Sequence, residues 1–134
     1  MWDDPEFDSY GLSQWHWIAR HKENLKIGKR VQIGTFSLLG CENGIEIEDD
    51  VKIGYHCVLI TNSTVDDKKG KIILKDNCKI GANSVIMPGV VIGENSVIGA
   101  CSFVNKNIPP NEVWFGCPAK FQRKLKEGEN KKND

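Results

Sequence analysis

Ile, Leu or Val recurs every six residues through most of this chain, at Ile27, Ile33, Leu39, Ile47, Ile53, Leu59, Val65, Leu74, Ile80, Ile86, Ile92, Ile98 and Val104. Only two steps differ, with eight residues from Leu39 to Ile47 and nine from Val65 to Leu74. A period of six matches neither the 3.6 of a helix nor the 2 of a strand. It predicts an all-β solenoid whose short strands each end in a corner. Two further columns agree. Small or β-branched residues (Val31, Ser37, Val51, Cys57, Ser63, Cys78, Ser84, Val90, Ser96, Ser102) precede the anchors by two, where an inward side chain must be compact. Asn, Asp or Gly follows many anchors by three (Asp50, Asn62, Asn77, Asn83, Gly89, Asn95, Asn107), the types that best tolerate a left-handed corner. Gly follows the anchor directly at Gly28, Gly34, Gly40, Gly54, Gly81, Gly93 and Gly99, read as the requirement of a tight corner.

Runs such as Ile80-Gly81-Ala82-Asn83-Ser84-Val85 and Ile92-Gly93-Glu94-Asn95-Ser96-Val97 resemble the hexapeptide repeat of the left-handed parallel β-helix acyltransferases. The resemblance continues through Val104-Asn105-Lys106-Asn107-Ile108-Pro109-Pro110-Asn111 and Gly116-Cys117-Pro118-Ala119-Lys120, which look like the terminal coil and C-terminal segment of the acetyl-coenzyme A-dependent group. It implies a triangular prism of a little over four coils, three repeats to a coil. The expected division is a cap segment over 1–24, the β-helix over 25–109, a C-terminal segment over 110–126 that folds back on the prism, and a disordered tail over 127–134. The cap is expected to hold a short helix or turn, with Trp15 and Trp17 over the open end of the core. Pro109 and Pro110 are expected to end the sheets. The insertion at Asp66-Asp67-Lys68-Lys69-Gly70 is expected to project from a corner.

Composition narrows the function classes. Eighteen basic residues balance eighteen acidic ones, and with no basic face visible nucleic acid is not the expected partner. No apolar run is long enough to cross a membrane, and the N-terminus has no signal-peptide pattern. Cys57 and Cys78 fall on inward positions, and Cys41, Cys101 and Cys117 have neither pairing nor metal spacing, so a reduced, cytoplasmic setting is expected.

The resemblance implies acetyl transfer from acetyl-coenzyme A to a hydroxyl or amine of a small acceptor, such as a sugar or nucleotide-linked amino sugar. It also implies a homotrimer with active sites between subunits. A non-catalytic β-helix scaffold is the alternative. Such enzymes usually carry a base histidine near the projecting loop, and the segment Thr61–Lys68 has none. Among His16, His21 and His56 only His56 lies within the repeats, so it is the candidate base, with a left-handed turn residue or a substrate contact as its other readings. Stacking by threes places it in one corner column with Phe36, Asn77 and Asn95. Asp66 and Asp67 are alternative bases; Asn62, Trp15 and Trp17 are candidate acceptor contacts. For the coenzyme the resemblance points to Ala82, Gly99, Ala100, Gly116, Pro118 and Ala119 along the pantetheine arm, and to Lys106, Lys120, Arg123 and Lys124 at phosphates. A single histidine in the repeats does not supply a three-histidine metal site, and no metal is expected.

Overall fold

The computed structural model describes residues 3–130 and winds them into three parallel sheets around one core. The first face stacks Ile18–Arg20, Leu38–Gly40, Val58–Ile60, Val85–Ile86 and Phe103–Val104. The second stacks Leu25–Ile27, Ile45–Ile47, Ile72–Leu74 and Val91–Ile92, to which Ile108 adds a single bridge. The third stacks Gln32–Ile33, Lys52–Ile53, Lys79–Ile80, Val97–Ile98 and Glu112–Gly116, and ends in the antiparallel strand Ala119–Lys124. The chain visits the faces in rotation. A first corner therefore joins the first face to the second, a second corner the second to the third, and a third corner the third back to the first. This is the β-helix that the six-residue period predicts. Among the described residues there is no α-helix, only a 3-10 turn at Lys22–Asn24.

Each strand sends its anchor into the interior, and most corners add a compact residue, replaced before Ile47 and Leu74 by the buried Ile45 and Ile72. Leu39, Leu59, Ile86, Ile92 and Val104 have no exposed surface, and every member of the small column from Val31 to Ser102 is buried. The buried hydroxyls are satisfied between coils: Ser37 donates to the Gly54 carbonyl and Ser84 to that of Gly99. Trp17 closes the starting end, 2% exposed and edge-on to Phe7 at 5.4 Å.

Several expectations change. Val65 is no anchor: it is 98% exposed, between the strands Asn62–Ser63 and Lys68–Lys69 of a projecting hairpin. Its place in the repeat is skipped, because the chain goes from Leu59 on the first face directly to Leu74 on the second. The anchor-following glycines do not have positive φ; what they lack, except at Gly40, is room for a Cβ. A Cβ on Gly54 would come within 2.6 Å of the Ala82 nitrogen, and one on Gly81 within 2.5 Å of the Ala100 nitrogen. Left-handed residues sit at the corners as expected for Asp50, Asn77, Asn83, Gly89 and Asn95, but not for Asn62, which is in the hairpin, or Asn107.

At the two ends the sheets also extend further than expected. Ile18–Arg20 already pairs with Leu38–Gly40, so the first face begins before residue 25. Pro109 and Pro110 form a corner, not a terminus: Val113 and Trp114 resume the third face beside Val97 and Ile98. Residues 127–130 of the expected disordered tail are held in place. Glu129 accepts from both terminal guanidinium nitrogens of Arg123, and Asn130 donates to the carbonyls of Asn77 and Asn95. The rest of that tail lies outside the described residues.

Candidate active site

The third corner gathers most of the expected chemistry. Its left-handed positions stack from coil to coil as His16, Phe36, His56, Asn83 and Cys101, each amide bonded to a carbonyl of the coil below: Phe36 to His16, His56 to Thr35, Asn83 to Tyr55 and Cys101 to Ala82. Asn77 and Asn95, expected in the His56 column, instead line the second corner with Arg30, Asp50 and Asn111. Counting Val65 as an anchor shifts every later repeat by one face, which explains the difference. His56 has φ 55°, is exposed, and stands edge-on to Phe36 at 5.4 Å. The left-handed backbone turns its imidazole outward at the corner.

Above His56 the same corner presents Ala82 and Ala100, followed by Gly116, Pro118 and Lys120 where the last two strands reverse; Ala119, expected on this edge, is instead buried against the core. Small side chains keep this edge open to a thin ligand. Gly99 is covered, because a Cβ there would lie 2.7 Å from the Cβ of Phe115. Phe115 is a residue of this edge that sequence reasoning missed, since its place outside the repeat left no periodic signal. At the lower end Trp15 and Tyr55 line a groove of about 560 Å³ floored by Gly34 and Gly54. Trp15 is partly exposed; Trp17, buried in the core, reaches the groove only from within.

Other candidates lie elsewhere. Asn62, Asp66 and Asp67 leave from the first corner, at the opposite end of Val58–Ile60 from His56, and Lys106 follows Phe103–Val104 at that same corner. The Ser63 hydroxyl bonds the Asp66 carboxylate, Lys68 Nζ lies 3.7 Å away, and together they hold its pKa below the ordinary carboxylate value. That makes Asp66 a weak proton acceptor. Arg123 sits toward the second corner, with its guanidinium engaged by Glu129. Lys124, opposite Glu112, lies at that end too. All five cysteines are free thiols, three of them buried and Cys101 and Cys117 exposed.

Residues 71–106 match the family model described as bacterial transferase hexapeptide (six repeats). Two solved structures of a hexapeptide-repeat-containing acetyltransferase from Vibrio cholerae superpose with TM-scores of 0.76 and 0.78 at 30% and 31% identity. Both alignments cover 82% of this chain, and 68% and 65% of those chains. This chain belongs to the hexapeptide-repeat acyltransferase family. The second of those Vibrio cholerae structures holds acetyl-coenzyme A. A galactoside O-acetyltransferase from Escherichia coli is 50% identical over 134 residues, covering 93% of this chain and 61% of that protein. An N-acyltransferase from Bacillus cereus, solved with dTDP-4-amino-4,6-dideoxyglucose and coenzyme A, superposes with a TM-score of 0.72 at 27% identity, covering 82% of this chain and 66% of that one. This hexapeptide-repeat chain spans about three fifths of the length of the curated galactoside O-acetyltransferases it matches. No helix of the described residues is long and apolar enough to cross a membrane.

Proposed function

We propose that this member of the family transfers an acetyl group from acetyl-coenzyme A to a hydroxyl or amine of a small acceptor, a sugar or nucleotide-linked amino sugar, in the cytoplasm. The observation that carries the reading is the third corner, which lines up an exposed imidazole at His56 with the open edge of Ala82, Ala100, Gly116 and Pro118 and with Lys120. The pantetheine arm lies along that edge, and Lys120 meets a phosphate. The His56 imidazole accepts the acceptor's proton as its oxygen or nitrogen attacks the thioester carbonyl; the carbon–sulfur bond then breaks and coenzyme A leaves as the thiol.

The site is completed by a second copy of the chain. The outward residues of the first face form an unbroken apolar ladder, Ile18, Leu38, Val58, Val85 and Phe103 in direct register. Its counterpart on the second face carries Lys26 and Glu46, and that on the third carries Gln32, Lys52 and Lys79. An apolar face of this kind is a surface for association. Rotation about an axis parallel to the prism and facing the first face closes three copies into a ring. Such a ring brings the first corner of one copy against the third corner of the next at the same height. The hairpin with Asn62, Asp66 and Asp67, and Lys106 above it, then face the neighbour's His56 and coenzyme edge. Arg123, bound to Glu129, stays outside this set.

The test measures thiol release with acetyl-coenzyme A and a panel of amino sugars and sugars, beside coenzyme binding by calorimetry. His56→Asn keeps a residue suited to the left-handed corner but removes the base, and is expected to lower kcat by about 10²–10⁴ with coenzyme affinity unchanged. Full activity in His56→Asn removes the base role, and absence of coenzyme binding by the wild type favours the scaffold reading.

A further inference from the structure

The third face carries a charge arrangement unlike its neighbour's. On the second face lysines are matched by glutamates: Glu46 takes Lys71 at 2.9 Å and Lys26 at 3.7 Å, and Glu48 takes Lys75 at 3.6 Å. On the third face Lys52 and Lys79 are direct register partners on adjacent strands, both pointing outward because Ile53 and Ile80 point in. Among the described residues neither ammonium has a carboxylate at salt-bridge distance. Three acids at the adjoining second corner have partners of their own. Asp49 accepts the Lys29 amide, Asp76 the Asp49 amide, and Asp50 the Arg30 guanidinium. Like charges directly opposite on a sheet are destabilising. Partial burial, with the Lys52 ammonium beside it, lowers the pKa of Lys79, the response expected of a cation that lacks a counter-charge.

The pair also has a defined neighbour. Gln32, the register partner of Lys52, and Ile53, its chain neighbour, both line the groove of Trp15 and Tyr55, so Lys52 lies beside the groove on the sheet side and Lys79 one strand further along. The groove offers ring faces, a backbone floor and one carboxylate, that of Asp3, and the lysines beside it offer a doubled positive charge. We infer that Lys52 and Lys79 form a seat for a phosphate group, with the groove of Trp15 and Tyr55 holding the body of the molecule that bears it. The inference rests on the acetyl-transfer reading only in naming that molecule as the acceptor; the seat itself follows from the charge arrangement. Lysine recognises phosphate as a compact point charge, and two of them fit a diphosphate without the fork that Arg would impose.

The experiment uses the full chain at low ionic strength, without acetyl-coenzyme A, with inorganic pyrophosphate and uridine diphosphate as probes and sodium chloride of equal ionic strength as control. Both probes are expected to bind by calorimetry, with uridine diphosphate the tighter because its base and ribose reach the groove. Lys52→Met and Lys79→Met are each expected to weaken binding roughly tenfold or more, as loss of a charge-assisted contact does. Lys79→Glu builds the Lys–Glu pairing of the second face here, and is expected to raise Tm while abolishing probe binding. That outcome separates loss of the seat from loss of the fold. Equal affinity for the two probes retains the seat as a site for free phosphate. Undiminished binding in the Lys52→Met, Lys79→Met double variant moves the anion to the coenzyme edge, and no binding to the wild type overturns the seat; neither result touches acetyl transfer, which coenzyme calorimetry reads separately.

Discussion

Replacing Gly81 by Ala tests why glycine follows the anchors. A Cβ at this position would lie 2.5 Å from the Ala100 nitrogen and 2.7 Å from the Ala100 Cα, about 0.9 Å inside an ordinary 3.4 Å contact. Both obstacles are backbone, so no side chain can swing aside. Relief requires the two coils to separate locally, across the bonds that hold them together: the Gly81 amide to the Ile98 carbonyl at 2.8 Å and the Cys101 amide to the Ala82 carbonyl at 2.9 Å. Overpacking costs about 1–3 kcal/mol, and weakening two backbone hydrogen bonds adds about 1 kcal/mol each at most. The expected loss is about 2–4 kcal/mol, or roughly 3–5 °C of Tm per kcal/mol for a chain of this size. Gly89→Ala is the control. Gly89 has φ +82° with nothing within 4 Å of its Cβ position, so only left-handed strain applies, about 1–2 kcal/mol. Equilibrium unfolding in urea at one fixed protein concentration, followed by fluorescence of the buried Trp17, measures both. A Gly81→Ala loss equal to or smaller than that of Gly89→Ala refutes the close-approach argument.

Two further outcomes follow from burial and charge. Val65→Ala is expected to change stability by no more than about 0.5 kcal/mol, as at an exposed position, whereas Ile86→Ala, with no exposed surface, costs about 2–5 kcal/mol; similar losses on urea unfolding would return Val65 to the core. Glu129 titrates at about 2, held down first by the Arg123 guanidinium and then by the Lys126 amide. Because the folded value lies below the unfolded one, its contribution is fully present above about pH 4.5 and is lost as pH falls toward 2. Side-chain amide resonances of Asn77 and Asn130 report the release, and detachment already complete at pH 5 would contradict the Glu129 clamp.

The repeat was legible because it is local. Each strand must supply an apolar anchor, and most corners a compact inward residue and a left-handed position, and these demands recur at fixed spacing whatever the rest of the chain does. The left-handed corners at Asp50, Asn77, Asn83 and Asn95 and the buried small column were therefore readable from residue type alone. His56 stood out by the same logic, as a histidine at a position that elsewhere holds Asn or Asp. What failed was the phase. Val65 carries the right side chain at the right spacing, yet it lies on a hairpin, because the antiparallel pairing of Asn62–Ser63 with Lys68–Lys69 removes it from the prism. Nothing in its immediate sequence separates a repeat from such a hairpin.

The sequence by itself determined the β-helix, the residues of its core, and the family to which its repeats point, since all three depend on periodic local pattern. Only the tertiary structure decided which residues share a corner. It stacked His56 with Phe36 and Asn83, aligned it with the edge of Ala82 and Ala100, moved Arg123 to Glu129, and set Lys52 against Lys79. The reason is geometric. In a prism, residues about 20 apart become neighbours only after every intervening corner has been counted, and one looped-out segment rotates all later residues by a face.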